Sequence, residues 1–160
     1  GTGFQEHEYF ETKKELEAAG VKVLTSSDEQ EAIGHAGKKQ KRDVALSKIN
    51  PREYDGIFLI GGPGALDHLN TPEIHKILSE FFALNKPYGA ICIAPRILAQ
   101  AELLQNKKAT GWDGDGKVQA VLEAHGAIFV DKHVVTDGTV VTANGPDAAT
   151  DFGKAIVKIL

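Results

Sequence analysis

The sequence predicts an α/β fold in which a mostly parallel sheet is covered by helices on both faces. Segments of strand and helix character alternate along the chain, which is the order that a parallel sheet requires. The run at residues 56–60 is apolar throughout, as expected for a strand that is buried on both faces. It ends in Gly61-Gly-Pro-Gly64, and another apolar segment ends at Cys92. These two strand ends are predicted to meet at one edge of the sheet.

The first half of the chain is divided by its turn signals and apolar patterns. It is predicted to contain, in order, a helix over residues 6–19 that Gly20 ends, a strand over 21–25, a polar hairpin or insertion over 26–50, the strand at 56–60, and a helix over 72–84 with Thr71 as its N-cap. An α/β chain normally opens on a buried strand. Because the first element here is a helix, and because the sequence contains no methionine, we expect one more strand before Gly1.

The second half continues the same alternation. It is predicted to contain, in order, a strand over residues 88–92, a helix over 95–104, a strand over 108–110, a helix over 116–124, strands over 128–130, 134–136 and 139–142, and a closing helix over 147–160. Asp137-Gly138 is a strong signal for a tight hairpin. No linker or shift in composition divides the chain, so residues 1–160 are predicted to form a single domain.

The composition is that of an ordinary globular protein. Hydrophobic residues make up 42% of the chain and charged residues 25%, and the net charge of −4 gives no basis for binding nucleic acid or an anionic membrane. No apolar run approaches the length of about 20 residues that spans a bilayer. A single cysteine excludes an internal disulfide and is typical of a reducing compartment. We therefore expect a cytoplasmic location.

Cys92 lies where a strand is predicted to turn abruptly into a helix. Ala90 and Ala94 flank it at two residues on either side, the spacing of small residues around a nucleophile elbow. Pro95 suits the first turn of the helix that follows, and the positive end of that helix favours the thiolate. The competing interpretation is that the thiol is a small buried hydrophobe. The meeting of two strand ends at this point favours a reactive cysteine.

Several motifs along the chain resemble one known family. They are Gly3-Phe-Gln-Glu-His-Glu8, Tyr54-Asp-Gly-Ile-Phe-Leu-Ile-Gly-Gly62, Ala90-Ile-Cys-Ile-Ala-Pro95, Gly145-Pro146, Asp151-Phe152 and Ala155-Ile-Val157. With them the chain is similar to the ThiJ/PfpI superfamily, which includes the intracellular PfpI-type proteases and the Parkinson-disease-associated stress and deglycase proteins. The resemblance covers essentially the whole chain. It implies a flavodoxin-like three-layer sandwich whose first strand lies just before Gly3.

The resemblance also implies roles for individual residues. Cys92 matches the nucleophile of the family, and Glu8 matches a glutamate that contacts it. Gly62 and Ile93 match positions whose backbone N–H groups form an oxyanion-hole-like pocket. Arg42 resembles an arginine near the dimer interface of the stress proteins. The family forms oligomers, so a homodimer or a higher homo-oligomer is expected.

Both histidines that accompany the family cysteine are absent here. PfpI-type proteases carry a histidine directly after the cysteine, where this chain has Ile93. The stress-protein branch has a histidine after the elbow helix, and the matching position here is Trp112. Trp112 is then either ordinary core or a wall of the pocket over Cys92, and we favour the wall. Because no imidazole assists the leaving group, efficient peptide hydrolysis is not expected.

A cysteine and a glutamate are sufficient for other chemistry. We expect Glu8 to be buried beside Cys92 and largely protonated, so that it donates a hydrogen bond to an ionised thiolate. The thiolate would attack a small carbonyl compound such as a 2-oxoaldehyde, and the N–H groups of Gly62 and Ile93 would bind the oxyanion. The sequence therefore predicts a small-molecule substrate and a glyoxalase-like or deglycase-like activity.

Two alternatives remain open at this point. In the first, the protein is a non-enzymatic redox sensor in which Cys92 is oxidised to sulfenate and sulfinate. In the second, it is a PfpI-type peptidase or amidase, which would need a histidine from a partner subunit.

The sequence gives no pattern for a metal or cofactor, and we expect neither. The histidines lack ligand spacing, and Asp113-Gly-Asp115 lacks the further ligands of a calcium loop. The Gly61-Gly-Pro-Gly64 loop matches neither a Walker loop nor a dinucleotide fingerprint.

Overall fold

A computed structural model describes residues 1–160 and has a mixed α/β fold with a mostly parallel sheet. The helices are α1 (Glu6–Ala18), α2 (Ala65–Leu69), α3 (Pro72–Ala83), α4 (Pro95–Gln100), α5 (Val118–Ala124) and α6 (Ala149–Val157). The strands are β1 (Ser26–Ser27), β2 (Glu31–Ile33), β3 (Lys39–Lys41), β4 (Val44–Ala45), β5 (Ile57–Leu59), β6 (Tyr88–Ile91), β7 (Lys108–Ala109), β8 (Ile128–Phe129), β9 (Val134–Asp137) and β10 (Val140–Ala143). None of the helices combines the length and the apolar character that crossing a bilayer requires.

The central sheet has the strand order β5-β6-β10-β9. Its first three strands run parallel, and β9 joins β10 antiparallel through the predicted Asp137-Gly138 turn. The register places Leu59 beside Ala90, which in turn lies beside Thr142. Every residue of β6 and β10 is buried, as expected for inner strands that are covered on both faces. The mostly parallel sheet predicted from the sequence is confirmed.

Helices cover the two faces of this sheet and complete a three-layer sandwich. Neighbouring residues of β10 point to opposite faces, with Val140 in one hydrophobic core and Val141 in the other. On the Val141 side, α1 and α6 pack against each other, and Phe152 of α6 is fully buried there. On the Val140 side, α3, α4 and α5 supply buried residues such as Phe81 and Leu98. The same layers match the flavodoxin-like fold that the sequence predicts.

Local signals place several elements where they were expected. Thr71 caps α3 by accepting a hydrogen bond from the Ile74 N–H at 3.3 Å, and Pro72 opens the helix. The polar segment 26–50 contains the β2–β3 hairpin. The helix predicted over 95–104 already ends at Gln100, because Glu102 adopts a φ of 59° that a helix cannot continue through.

The strand predicted for residues 21–25 is wrong. Strand pairing in this region begins only at Ser26, which lies opposite Val44. A cavity of about 430 Å³, lined by residues 21–27 and 53–60 among others, lies beside the segment, and β5 forms the edge of the central sheet. Residues 21–25 thus have the composition of a strand but no neighbouring strand to pair with.

Candidate active site

Cys92 occupies a strained turn between β6 and α4. Its φ is 66°, a left-handed value that residues other than glycine rarely adopt. The Cys92 N–H donates to the Ala143 carbonyl at 2.9 Å, and the Cys92 carbonyl accepts from the Trp112 N–H at 2.7 Å. Contacts on both sides therefore hold the turn. Backbone strain of this kind is typical of a nucleophile that is presented at the end of a strand.

The Gly61-Gly-Pro-Gly64 loop approaches Cys92 from the end of β5. The segment before α1 crosses this loop, and the Gln5 N–H donates to the Gly61 carbonyl at 2.9 Å. Gly62 has a φ of 119°, and a methyl group on it would lie 2.4 Å from the Gln5 nitrogen, so only glycine fits. The crossing fixes the start of α1 and brings Glu8, in the first turn of that helix, to the loop.

Glu8 and Cys92 meet in the interior of the protein. Glu8 is fully buried, whereas 8% of Cys92 remains exposed. Glu8 Oε2 accepts a hydrogen bond from the Gly61 N–H at 3.1 Å, and Oε1 receives none from any N–H or O–H group. A methyl group at Gly61 would lie 2.6 Å from Cys92 Cβ and 3.0 Å from Glu8 Oε2. The absence of a side chain at Gly61 is therefore what lets the carboxyl and the thiol share this space.

Burial controls the titration of Glu8. It raises the pKa of Glu8 to about 7, although hydrogen bonds with Cys92 and Gly61 act in the opposite direction. This direction is the one expected for the largely protonated carboxyl that the sequence predicts. An acid that titrates near neutral pH can both accept and return a proton during a reaction.

The surroundings of Cys92 oppose the ionised thiol that the sequence predicts. Burial and the neighbouring Glu8 raise the pKa of Cys92 to about 12, and this outweighs the N–H groups of Ile93 and Gly62, which lower the pKa. The helix that follows has only six residues, so its dipole is small. At neutral pH the sulfur keeps its proton, and Glu8 is the group of the pair that ionises first.

The backbone N–H groups of Gly62 and Ile93 both lie near enough to the Cys92 sulfur to lower the pKa of the thiol. They come from two different strand ends, which the parallel sheet brings to the same edge. Their use as an oxyanion pocket stays a prediction.

Trp112 and Arg42 lie in different surroundings. The Trp112 N–H donates to the Cys92 carbonyl. The residue is 36% exposed, so it is not part of the hydrophobic core. Arg42 instead donates to the carbonyls of Ser27 and Asp28 in its own chain, at 3.1 and 2.8 Å. The pocket-wall role of Trp112 and the interface role of Arg42 stay predictions.

The histidines do not join this site as a ligand set. His7, next to Glu8 in the sequence, is exposed. His68 and His75 form hydrogen bonds with Asp28 and Asn70. No group of three or more histidine, cysteine or acidic side chains is arranged to hold a metal ion.

One buried ion pair near the site was missed by the sequence analysis. Arg96, four residues after Cys92, is buried and forms an ion pair with Asp115. A signal was present, because a charged residue inside the apolar run from Ile93 to Leu98 must find a partner if that run is buried.

Comparison with known proteins identifies the family of this chain. The sequence profile of the DJ-1/PfpI family matches residues 1–159. Uncharacterized protein MJ0967 of Methanocaldococcus jannaschii is 35% identical over 98% of this chain and 77% of its own length, and uncharacterized protein SAV1875 of Staphylococcus aureus is 33% identical over 98% and 92%. The crystal structure of a ThiJ/PfpI domain protein from Brachyspira murdochii superposes with a TM-score of 0.93 at 30% identity, covering 99% of this chain and 91% of that one.

The raised pKa of Glu8 predicts how stability depends on pH. Between pH 4.5 and about 7 the folded protein holds a proton that the unfolded chain releases, so the free energy of unfolding falls as pH rises through this window, by about 3 kcal/mol. Glu8→Gln has no charge to bury and should remove this fall. Urea unfolding at pH 5 and pH 8 measures it, with the exposed Glu80→Gln as the matched control. A fall of equal size in Glu8→Gln would contradict the assignment.

The same substitution tests what Glu8 does to the thiol. Glu8→Gln should lower the pKa of Cys92, because the change removes a negative charge beside the sulfur. The rate of alkylation by iodoacetamide, measured against pH, gives this pKa. A midpoint that instead moves to higher pH would mean that Glu8 chiefly stabilises the thiolate by donating a hydrogen bond.

Proposed function

We propose that this chain, which belongs to the DJ-1/PfpI family, acts on small reactive carbonyl compounds in a glyoxalase- or deglycase-like reaction of stress protection. One observation carries the proposal. A fully buried carboxyl whose pKa is about 7 lies against the only cysteine, at a strained strand-to-helix turn that also offers two backbone N–H groups. These are a nucleophile, a proton carrier and an anion-binding pocket in one place.

The first step follows from the order in which the two groups ionise. The ionised carboxylate of Glu8 takes the proton of Cys92 while the sulfur attacks the aldehyde carbon of a 2-oxoaldehyde. The carbonyl π bond breaks, and its oxygen becomes an oxyanion that accepts hydrogen bonds from the N–H groups of Gly62 and Ile93. Glu8 then returns the proton to that oxygen, which gives a hemithioacetal on Cys92.

The later steps again need only one proton carrier. Glu8 removes the hydrogen on the carbon bonded to sulfur, which leaves an enediolate, and the hydroxyl proton of that carbon passes to the neighbouring oxygen. Glu8 then returns its proton to the neighbouring carbon, and the carbon bonded to sulfur becomes the carbonyl of a thioester of a 2-hydroxy acid. Water then cleaves the thioester, releases the acid and restores the thiol. The net change is the addition of one water molecule to the 2-oxoaldehyde, with no external oxidant or reductant.

The exposure of the sulfur supports a small substrate. Only 8% of Cys92 is accessible, so a compact aldehyde reaches it more readily than a folded protein segment does. The residue after the cysteine is Ile93, and His7 is exposed rather than turned into the site. A peptidase would need an imidazole to protonate the leaving amine, so this alternative has the least support.

Redox sensing is the second candidate, and the same contacts favour it. The N–H groups of Gly62 and Ile93 and the carboxyl of Glu8 could donate hydrogen bonds to the oxygens of an oxidised Cys92. This alternative requires no turnover and no substrate pocket. A homodimer or higher homo-oligomer in the cytoplasm belongs to both candidates, on the family resemblance and on the reducing compartment that a lone reduced cysteine suits.

A turnover assay separates the candidates. Wild type should convert methylglyoxal to lactate, with kcat/KM rising as pH passes through about 7, where Glu8 ionises. Cys92→Ser should lose turnover entirely, and Glu8→Gln should be slower by ~10² to 10⁴, the usual worth of general acid–base catalysis. Glu80→Gln, an exposed control, should match wild type.

Two outcomes would contradict the proposed enzymatic activity. If wild type and Cys92→Ser are both inactive, and peroxide adds oxygen to wild type alone by mass spectrometry, the protein is a redox sensor. If Cys92→Ser keeps full turnover, neither candidate stands.

A further inference from the structure

A buried arginine lies one helical turn beyond the candidate nucleophile. Arg96 is only 5% exposed, within an α4 whose neighbouring residues are apolar. Its guanidinium binds Asp115 in a bidentate manner, with Nη1 donating to Oδ2 at 2.9 Å and Nη2 to Oδ1 at 2.5 Å. Two parallel charge-assisted hydrogen bonds fix direction as well as distance, which a single lysine contact would not do.

Arg96 also holds the backbone of Trp112. Its Nη2 donates to the Trp112 carbonyl at 3.3 Å, while the Trp112 N–H donates to the Cys92 carbonyl at 2.7 Å. The peptide groups on both sides of Trp112 are therefore tied to the elbow, one by Cys92 itself and the other by the arginine. These two contacts fix the backbone of Trp112 relative to the turn at Cys92.

The remaining contacts of residues 111–117 show how the arginine acts on this segment. Residues 111–117 form no helix or strand, and those from Trp112 to Lys117 are exposed. Asp115 Oδ1 also accepts from the Lys117 N–H at 3.2 Å. The carboxylate that binds the arginine therefore also holds the backbone of the loop. The Trp112 ring packs over Gly114, where a methyl group would lie 2.2 Å from the indole. The ion pair thus connects α4 to the loop that carries the indole.

We infer that the Arg96–Asp115 pair is a positioning device that holds Trp112 at the rim of the Cys92 pocket and thereby selects reactants by size. The inference rests on the proposed function, because it takes Cys92 as the reacting group. Asp115 is the better residue to change, because its side chain is partly exposed and asparagine keeps an oxygen that can accept from the buried guanidinium. Trp112 is the only tryptophan in the chain, so its fluorescence reports on its own position.

The test compares Asp115→Asn with Asp151→Asn, which removes an exposed ion pair on α6. In Asp115→Asn, acrylamide quenching of Trp112 should increase about twofold or more. The rate of Cys92 modification by a bulky aromatic disulfide, relative to iodoacetamide, should rise roughly fivefold or more, the population change expected when one charge-assisted hydrogen bond is lost. Asp151→Asn should change neither quantity.

Two further variants make the test specific. Trp112→Ala should give the same gain in relative reactivity, and combining it with Asp115→Asn should add nothing, because both changes act through one side chain. Arg96→Lys keeps the charge but not the planar guanidinium. Its acrylamide quenching and relative reactivity should therefore lie between those of wild type and Asp115→Asn.

Several results would overturn the inference. They are unchanged quenching and reactivity in Asp115→Asn, an equal increase for both reagents, or additive effects in the double variant. None of these readouts requires turnover. If the protein fails to convert methylglyoxal while the size selection changes as expected, the proposed function fails and the positioning role stands.

Discussion

The burial of one carboxyl against one thiol is the constraint on which the rest of this site depends. Glu8 has no exposed surface, and its pKa rises to about 7 because water cannot solvate its charge. Three features of the backbone maintain that burial. They are the bare α-carbon of Gly61, the crossing of Gln5 over the loop after β5, and the left-handed turn at Cys92. The first provides space, and backbone hydrogen bonds hold the other two in place.

In the proposed function, this arrangement determines how the cysteine is activated. A thiol whose pKa is about 12 is not a preformed nucleophile at neutral pH, whereas a neighbouring carboxyl with a pKa of about 7 can remove its proton at the moment of attack. Activation then depends on Glu8 rather than on the dipole of the short α4. The same dependence explains why the local pattern around Cys92 was an incomplete guide. It indicated the elbow correctly, but the thiol pKa is set by burial and by a residue far away in the sequence.

The parts of the fold that were predictable are those with local causes. The alternation of apolar runs and helical segments predicted the parallel sheet, and Thr71 and Asp137-Gly138 marked a helix start and a hairpin. Pairing is not local, so the composition of residues 21–25 predicted a strand that has no partner. The meeting of Glu8 with Cys92 came from the family resemblance, since no spacing rule connects two such distant positions. The Arg96–Asp115 pair was missed because each residue alone resembles an ordinary charged residue.

The number of proton carriers distinguishes the reactions that this site can support. Hydrolysis of an amide needs a base that deprotonates the nucleophile and an acid that protonates the departing amine. In Cys–His enzymes the imidazole performs both functions. Isomerisation of a hemithioacetal moves one proton at a time between neighbouring atoms, and one carboxyl with a pKa near neutral pH suffices. Where the family has histidine this chain has Trp112, which adds bulk instead of a proton carrier. The single buried acid is therefore the reason that we propose small carbonyl compounds rather than peptides as substrates.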